Sequence, residues 1–162
     1  LEGLKKDKID FVGFVFIGLI RVGDDPFVIE YNVRMGDPET QVVLPRIEND
    51  MVELLAATAE KRLDKVSIQI RSEAAAAVVG VSGGYPEAYE KGKEITGIPT
   101  DALIFHAGTT MHDGKLVTNG GRVLASTGFG TDVHDAIATA YSSLTNVAFE
   151  GLYFRKDLGF DL

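Results

Sequence analysis

Two runs of β-branched and aromatic residues, 11–21 and 27–32, flank Val22, Gly23, Asp24, Asp25 and Pro26. No other feature of the chain constrains its fold as much. Branched and aromatic side chains suit a pleated surface, and Gly, Asp and Pro supply turn geometry, so the segment predicts an antiparallel hairpin. The first run has no polar alternation over residues 11–20, which predicts a strand covered on both faces. It follows Lys5 and Lys6, but Asp7 and Asp10 interrupt the basic region and no small-residue cleavage site follows. It is also too short to cross a bilayer, so a buried strand is a better reading than a secretory signal. The second run ends among Glu30, Asn32, Arg34, Asp37 and Glu39, and polar chemistry gathers there.

Further along, Asp50 and Glu53 have capping-box spacing and Met51, Leu54, Leu55 and Thr58 recur at helical intervals, predicting a helix over residues 50–63 that Asp64 and Lys65 close. A strand is expected over 74–82, a turn at Gly83-Gly84-Tyr85-Pro86, a charged segment to Ile95, and a strand over 102–106. Strands over 115–118 and 122–129 are expected around Asn119-Gly120-Gly121 as a hairpin turn. Thr131 would then cap a helix with Val133, Ile137, Tyr141, Leu144 and Ala148 on one face. The fold class expected is α+β, divided within residues 64–73 into pieces spanning 1–68 and 69–162. The helix-like stretch over 1–8 begins at Leu1, from which we expect a natural start further upstream.

Composition narrows the function classes. At 162 residues, with 45% hydrophobic and 25% charged content, the chain reads as globular. Its 16 Lys plus Arg against 24 Asp plus Glu, a net charge of -8, oppose the basic footprint of a nucleic-acid binder. No cysteine is present, which removes disulfides, thiolate metal sites and a Cys nucleophile and fits a reducing compartment such as the cytoplasm. No membrane or nucleic-acid partner is expected, and neither repeats nor low-complexity segments occur.

Alternation in a strand places Glu30 and Asn32 on one face, with Ile29, Tyr31 and Val33 on the other. One carboxylate and one carboxamide oxygen suit a hard cation such as Mg²⁺, which completes its shell with phosphate oxygens and water. If the strand continues, Arg34 is placed to clamp a carboxylate or phosphate. The same alternation also describes the solvated face of an edge strand, and spacing alone does not choose between the two. Asp37 is equally a turn residue bonded to its own backbone. His106 is a candidate base or a satisfied strand-end histidine, while His112 and His134 read as surface positions. Gly120, Gly121 and Arg122 offer either donors to a phosphate or a plain Asn-Gly hairpin. At the last helix, Asp132 would repel phosphate, so capping is the better reading there.

The segment Glu30 to Gln41 resembles the E-x-N-x-R-x-G-D-P-E-T-Q pattern of glycinamide ribonucleotide synthetases, and Tyr89-Glu90-Lys91-Gly92, Phe105-His106-Ala107-Gly108-Thr109 and Val117-Thr118-Asn119-Gly120-Gly121-Arg122-Val123-Leu124 are also similar. The resemblance runs through nearly the whole chain. It implies an ATP-grasp fold, with residues 1–68 as the last part of the grasp domain and 69–162 as the small C-terminal domain. It implies Glu30 and Asn32 as ligands of Mg²⁺ or Mn²⁺, ATP as co-substrate, and glycine and 5-phosphoribosylamine as substrates. Arg34 is then the catalytic residue, and Asp37, Glu39, His106, Gly121 and Arg122 bind substrate. Residues 14–20 carry none of the additional acidic ligand seen on the neighbouring strand in related enzymes. The lysines and glycine-rich loop that cover ATP phosphates are not recognisable in this chain, so the missing N-terminal part of the same protein is an expected partner. The isolated chain is expected to be inactive. A different ATP-grasp carboxylate–amine ligase and a non-catalytic binding domain are the rival readings.

Overall fold

A computed structural model describes residues 2–160, and the chain forms two compact units. The first comprises Leu1–Thr40 and Ile47–Ile70, the second Gln41–Arg46 and Arg71–Leu162.

In the first unit a short helix α1 (Glu2–Lys6) precedes two antiparallel strands, β1 (Phe16–Val22) and β2 (Asp25–Asn32), joined by a two-residue turn at Gly23 and Asp24. Gly23 takes φ +63°, a conformation that glycine adopts without steric cost. The Arg21 guanidinium donates to Asp24 at 2.6 Å across the turn. The hairpin is as expected, with two differences. β1 begins at Phe16, not at residue 11, since Gly13 takes φ +147° and turns the chain before the ladder starts. The expected cover on both faces is also missing among the described residues: Ile17, Leu19 and Ile29 are 48%, 57% and 64% exposed. A two-stranded ribbon has no layer of its own to bury its apolar faces.

Helix α3 (Met51–Ala59) is capped by Asp50, whose carboxylate accepts from the backbone N–H groups of Val52 and Glu53. It stops short of residue 63 because Lys61 takes φ +56° and Arg62 N–H closes the last turn on Ala57 O. Leu54 and Ala57 form its buried side. The Asn49 side chain pins the chain beyond the helix, donating to Ser67 O and accepting from Gln69 N–H.

The second unit is built on a three-stranded antiparallel sheet in the order β3 (Ala74–Val81), β7 (Arg122–Gly130), β4 (Leu103–His106), with helix α4 (Val133–Leu144) packed on it. Central β7 is buried from Val123 to Gly128. Val78, Leu124, Ala140, Leu144, Val147 and Phe149 belong to one core cluster, where each large side chain contributes roughly 1.5–3 kcal/mol by leaving water. Of the expected face of α4, Leu144 is buried and Tyr141 packs against the core, Val133 and Ile137 are half-buried and Ala148 is exposed; Ala136 and Ala140, which were not expected, complete the buried side. Two glycines of β7 explain the alanines. A Cβ on Gly128 would lie 2.2 Å from Ala136 O, and one on Gly130 would lie 2.4 Å from Ala136 N. Backbone thus meets backbone, and only small side chains fit between. The cap is Asp132, accepting from Asp135 N–H at 2.9 Å. The expected cap, Thr131, instead donates its hydroxyl to the Asp135 carboxylate.

The expected hairpin around Asn119-Gly120-Gly121 does not form. Strand β6 (Lys115–Thr118) pairs with β5 (Thr109–His112) through a turn at Asp113 and Gly114, both at positive φ, and β7 pairs with β3 and β4 instead. Asp-Gly with two positive φ values is the favoured two-residue hairpin turn, and it outcompetes the Asn-Gly further on.

Candidate functional site

In the first unit, the face carrying Glu30 and Asn32 is set by an irregularity in the hairpin. Leu19 pairs with Val28 but Gly18 pairs with Glu30, so Ile29 is the extra residue of a β-bulge. Bulges of this kind re-aim the side chains that follow. The result places Glu30 opposite Gly18 and Asn32 opposite Phe16. A Cβ on Gly18 would lie 3.0 Å from Glu30 Cγ, so the glycine leaves room for the carboxylate arm to lie across the neighbouring strand.

Glu30 is exposed, and Asn32 is half-buried with its Nδ2 enclosed and without a hydrogen-bond partner among the described residues. An enclosed, unpaired N–H donor costs about 1–3 kcal/mol; it calls for an acceptor, so only the Asn32 Oδ1 could face a cation. The donor set of one carboxylate and one carboxamide fits a hard cation. No three His, Cys, Asp or Glu side chains among the described residues form a group that could hold a metal ion.

β2 ends at Asn32, so Arg34 does not continue the alternation. It is exposed and donates to the neighbouring Met35 carbonyl at 3.1 Å. The chain then folds back at Gly36, which is buried: a Cβ there would lie 2.2 Å from Glu39 Oε2 and 3.1 Å from the Phe16 ring. Thr40 closes the turn with its N–H on Gly36 O, and helix α2 (Thr40–Val43) begins. Glu39 therefore lies over Gly36 beside Phe16, the residue that also faces Asn32, and Asp37 is exposed at the tip of this loop.

In the second unit, three loops meet at one end of the sheet. Antiparallel order puts the end of β3, the start of β7 and the end of β4 together, with Val81 opposite Arg122 and His106 opposite Leu124. Ser82 N–H donates to Gly121 O at 2.8 Å and its hydroxyl to Gly120 O at 2.9 Å. Gly108 N–H donates to Arg122 O, and Asn119 N–H to Gly108 O. Side chains are excluded from this seam: a Cβ on Gly108 would lie 2.6 Å from Gly120 Cα, and one on Gly121 would lie 2.1 Å from the Tyr85 ring. His106, Gly121 and Arg122 are thus brought to one sheet end. His106 Nδ1 is 3.2 Å from Thr109 Oγ1, so its ring has a partner inside its own motif. His112 and His134 are exposed. Sequence reasoning passed over Gly18, Phe16 and Tyr85. Of these, Gly18 carried a usable signal, since an isolated glycine within a strand pattern marks a bulge or a close approach.

Residues 75–161 match the phosphoribosylglycinamide synthetase C domain. The chain belongs to the phosphoribosylglycinamide synthetase family. Residues 1–40 match the ATP-grasp (A) domain of the same family. The phosphoribosylamine–glycine ligase of Agrobacterium fabrum is 46% identical over 98% of this chain and 38% of its own length. A bifunctional purine biosynthetic protein of Pichia angusta is 45% identical over 98% of the chain and 21% of its own length. The crystal structure of the phosphoribosylamine–glycine ligase of Thermotoga maritima superposes with a TM-score of 0.80 at 40% identity, covering 96% of this chain and 39% of that one. The fold is α+β, the last part of an ATP-grasp domain followed by a small α+β C-terminal domain. The chain therefore spans about two fifths or less of these relatives. No helix among the described residues is long and apolar enough to cross a membrane.

Proposed function

We propose that the protein to which this chain contributes is an ATP-dependent ligase joining glycine to 5-phosphoribosylamine. The products are glycinamide ribonucleotide, ADP and phosphate. The observation that carries the reading is the Glu30–Asn32 face, a hard-oxygen pair set by a bulge, in a chain of this family. Residues 1–68 act as the end of the grasp domain, completed by upstream chain that binds most of the ATP. Residues 69–162 act as the domain that takes the phosphoribosyl substrate. The setting is a soluble, purine-synthesising compartment, the cytoplasm.

Glu30 and Asn32 hold the cation, Mg²⁺ or Mn²⁺, which when bound neutralises phosphate charge during phosphoryl transfer. The glycine carboxylate takes the γ-phosphoryl group of ATP, releasing ADP and giving glycyl phosphate. The amine of phosphoribosylamine then attacks the glycyl carbonyl, the C–O bond to phosphate breaks, and the amine proton leaves to solvent. Arg34 steadies the acyl phosphate by a charge-assisted hydrogen bond. Asp37 and Glu39 orient the amine or the ribose hydroxyls, and His106, Gly121 and Arg122 bind the phosphoribosyl group. No protein nucleophile is required; alignment and charge neutralisation supply the rate.

The test is ADP release by the full-length protein with each substrate alone and with both. Release that needs both substrates and is lost in Glu30→Gln supports the ligase and the metal assignment. Release indifferent to glycine refutes the glycine assignment.

A further inference from the structure

The short helix α2 leaves one carbonyl without its helical donor, and the sequence says which. In an α-helix a carbonyl accepts from the N–H four residues on, and for Gln41 that residue is Pro45, which has no N–H. The donor comes from 86 residues further along: Thr127 Oγ1 donates to Gln41 O at 2.8 Å.

Thr127 is 3% exposed and sits on the central strand β7, opposite Ala77 of β3 on one side and Leu103 of β4 on the other. Its backbone is thus fixed by two neighbours and its hydroxyl is shut off from water. Gly128 and Gly130 are the β7 glycines that meet α4, so by alternation Thr127 and Phe129 face the other way. Phe129 serves the far end of the same segment. The Arg71 guanidinium lies 5.1 Å from the Phe129 ring centroid, and Arg71 N–H donates to Arg46 O at 2.8 Å while Arg46 Nη2 donates to Arg71 O at 3.0 Å. Residues 41–46 are therefore tied at both ends, directly at Gln41 and through Arg71 at Arg46, to one face of β7, and they belong with Thr127 to the second compact unit.

The functional weight lies in what precedes Gln41. The N–H and the hydroxyl of Thr40 both donate to Gly36 O, and Glu39 lies over Gly36, so the loop closes on itself and its parts move together. Asp37 and Glu39 ride on that loop, and the Gln41 peptide is its outgoing stem. A displaced stem is then passed on to both carboxylates, and small misplacements of groups that orient a substrate are costly in rate.

We propose that Thr127 is a positioning residue for the ligation: its hydroxyl holds the Gln41 carbonyl and, through one peptide bond, the loop that carries Asp37 and Glu39. What the two carboxylates do there rests on the ligase reading above; the tie itself does not.

The experiment compares full-length wild type, Thr127→Val and Thr127→Ser, with Ser126→Ala as control, since Ser126 is equally buried and its hydroxyl has no hydrogen-bond partner among the described residues. Valine keeps the shape of threonine and removes the donor. Thr127→Val is expected to lower kcat/KM for phosphoribosylamine about tenfold, the scale of one buried acceptor left without its donor, while KM for ATP moves less than twofold. Amide hydrogen exchange in the peptide spanning 36–44 should quicken by about the same factor. Thr127→Ser should recover most of both losses, and Ser126→Ala should match wild type in both. Exchange at 36–44 unchanged in Thr127→Val overturns the proposal. So does quickened exchange with unaltered kinetics, a kinetic loss shared equally by all three substrates, which general loosening of the sheet would give, or no recovery in Thr127→Ser. If wild type shows no ligase turnover while exchange at 36–44 quickens in Thr127→Val and recovers in Thr127→Ser, the ligase reading fails and the tie stands.

Discussion

Replacing Gly128 by alanine tests how the second unit is held together. The added Cβ would lie 2.2 Å from Ala136 O, 2.5 Å from Ala140 N and 2.9 Å from Thr139 Cβ. Two of these three are backbone atoms of α4, so no rotamer change relieves the contact. Either the helix moves off β7 or the strand bends, and overpacking of this kind costs about 1–3 kcal/mol. Gly-to-Ala also restricts the unfolded chain, which offsets roughly 0.4–1 kcal/mol. The net expectation is a loss of about 1–2 kcal/mol. With a urea slope of roughly 1–3 kcal/mol/M, the midpoint should fall by about 0.3–2 M with an unchanged slope. Urea unfolding followed by circular dichroism measures this directly. A midpoint at or above wild type would show that α4 does not sit on the β7 backbone as described.

Removing the cap with Asp132→Ala should cost α4 about 1 kcal/mol, whereas Thr131→Val should cost less; a larger loss at Thr131 in thermal melts would reverse the cap assignment. Gly18→Val places a branched side chain where the Glu30 arm lies; in the full-length protein it should raise the metal concentration needed for half-maximal ADP release, and an unchanged metal requirement would argue against the face. The 162-residue chain alone should show no ligase turnover, and any sustained ADP release dependent on both substrates by the purified chain would refute that.

Much of the chain announces itself in sequence because composition and turn chemistry act locally. Strands β1, β2, β3 and β7 follow apolar runs bounded by glycine or proline, and Asp50 caps α3 where its spacing says. The failures have physical reasons as well. β5 is built of Thr109, Thr110, Met111 and His112, an exposed two-stranded edge with no apolar pattern, although Asp113-Gly114 did signal its turn. On α4, Leu144 was legible as a core residue, but Ala136 and Ala140 were not, because large side chains attract attention while close helix–sheet packing selects alanine against glycine. Glu30 and Asn32 were legible as a pair through alternation, but their placement opposite Gly18 and Phe16 was not.

The bulge at Ile29 has a consequence for how this hairpin tolerates change in length. From the turn to Leu19 and Val28 the two strands run in one frame, and from Gly18 and Glu30 inward they run in another, one residue out of step. Were the outer frame to continue unbroken, Glu30 would face Ile17 and Asn32 would face Val15, and both oxygens would point to the other side of the ribbon. Ile29 works as a frame correction, much like a leap day. Deleting Ile29 leaves Glu30 opposite Gly18, and the outer hairpin can gain or lose paired residues without disturbing it. A single residue added between Glu30 and Asn32 has no such absorber and would separate the two oxygens onto opposite faces.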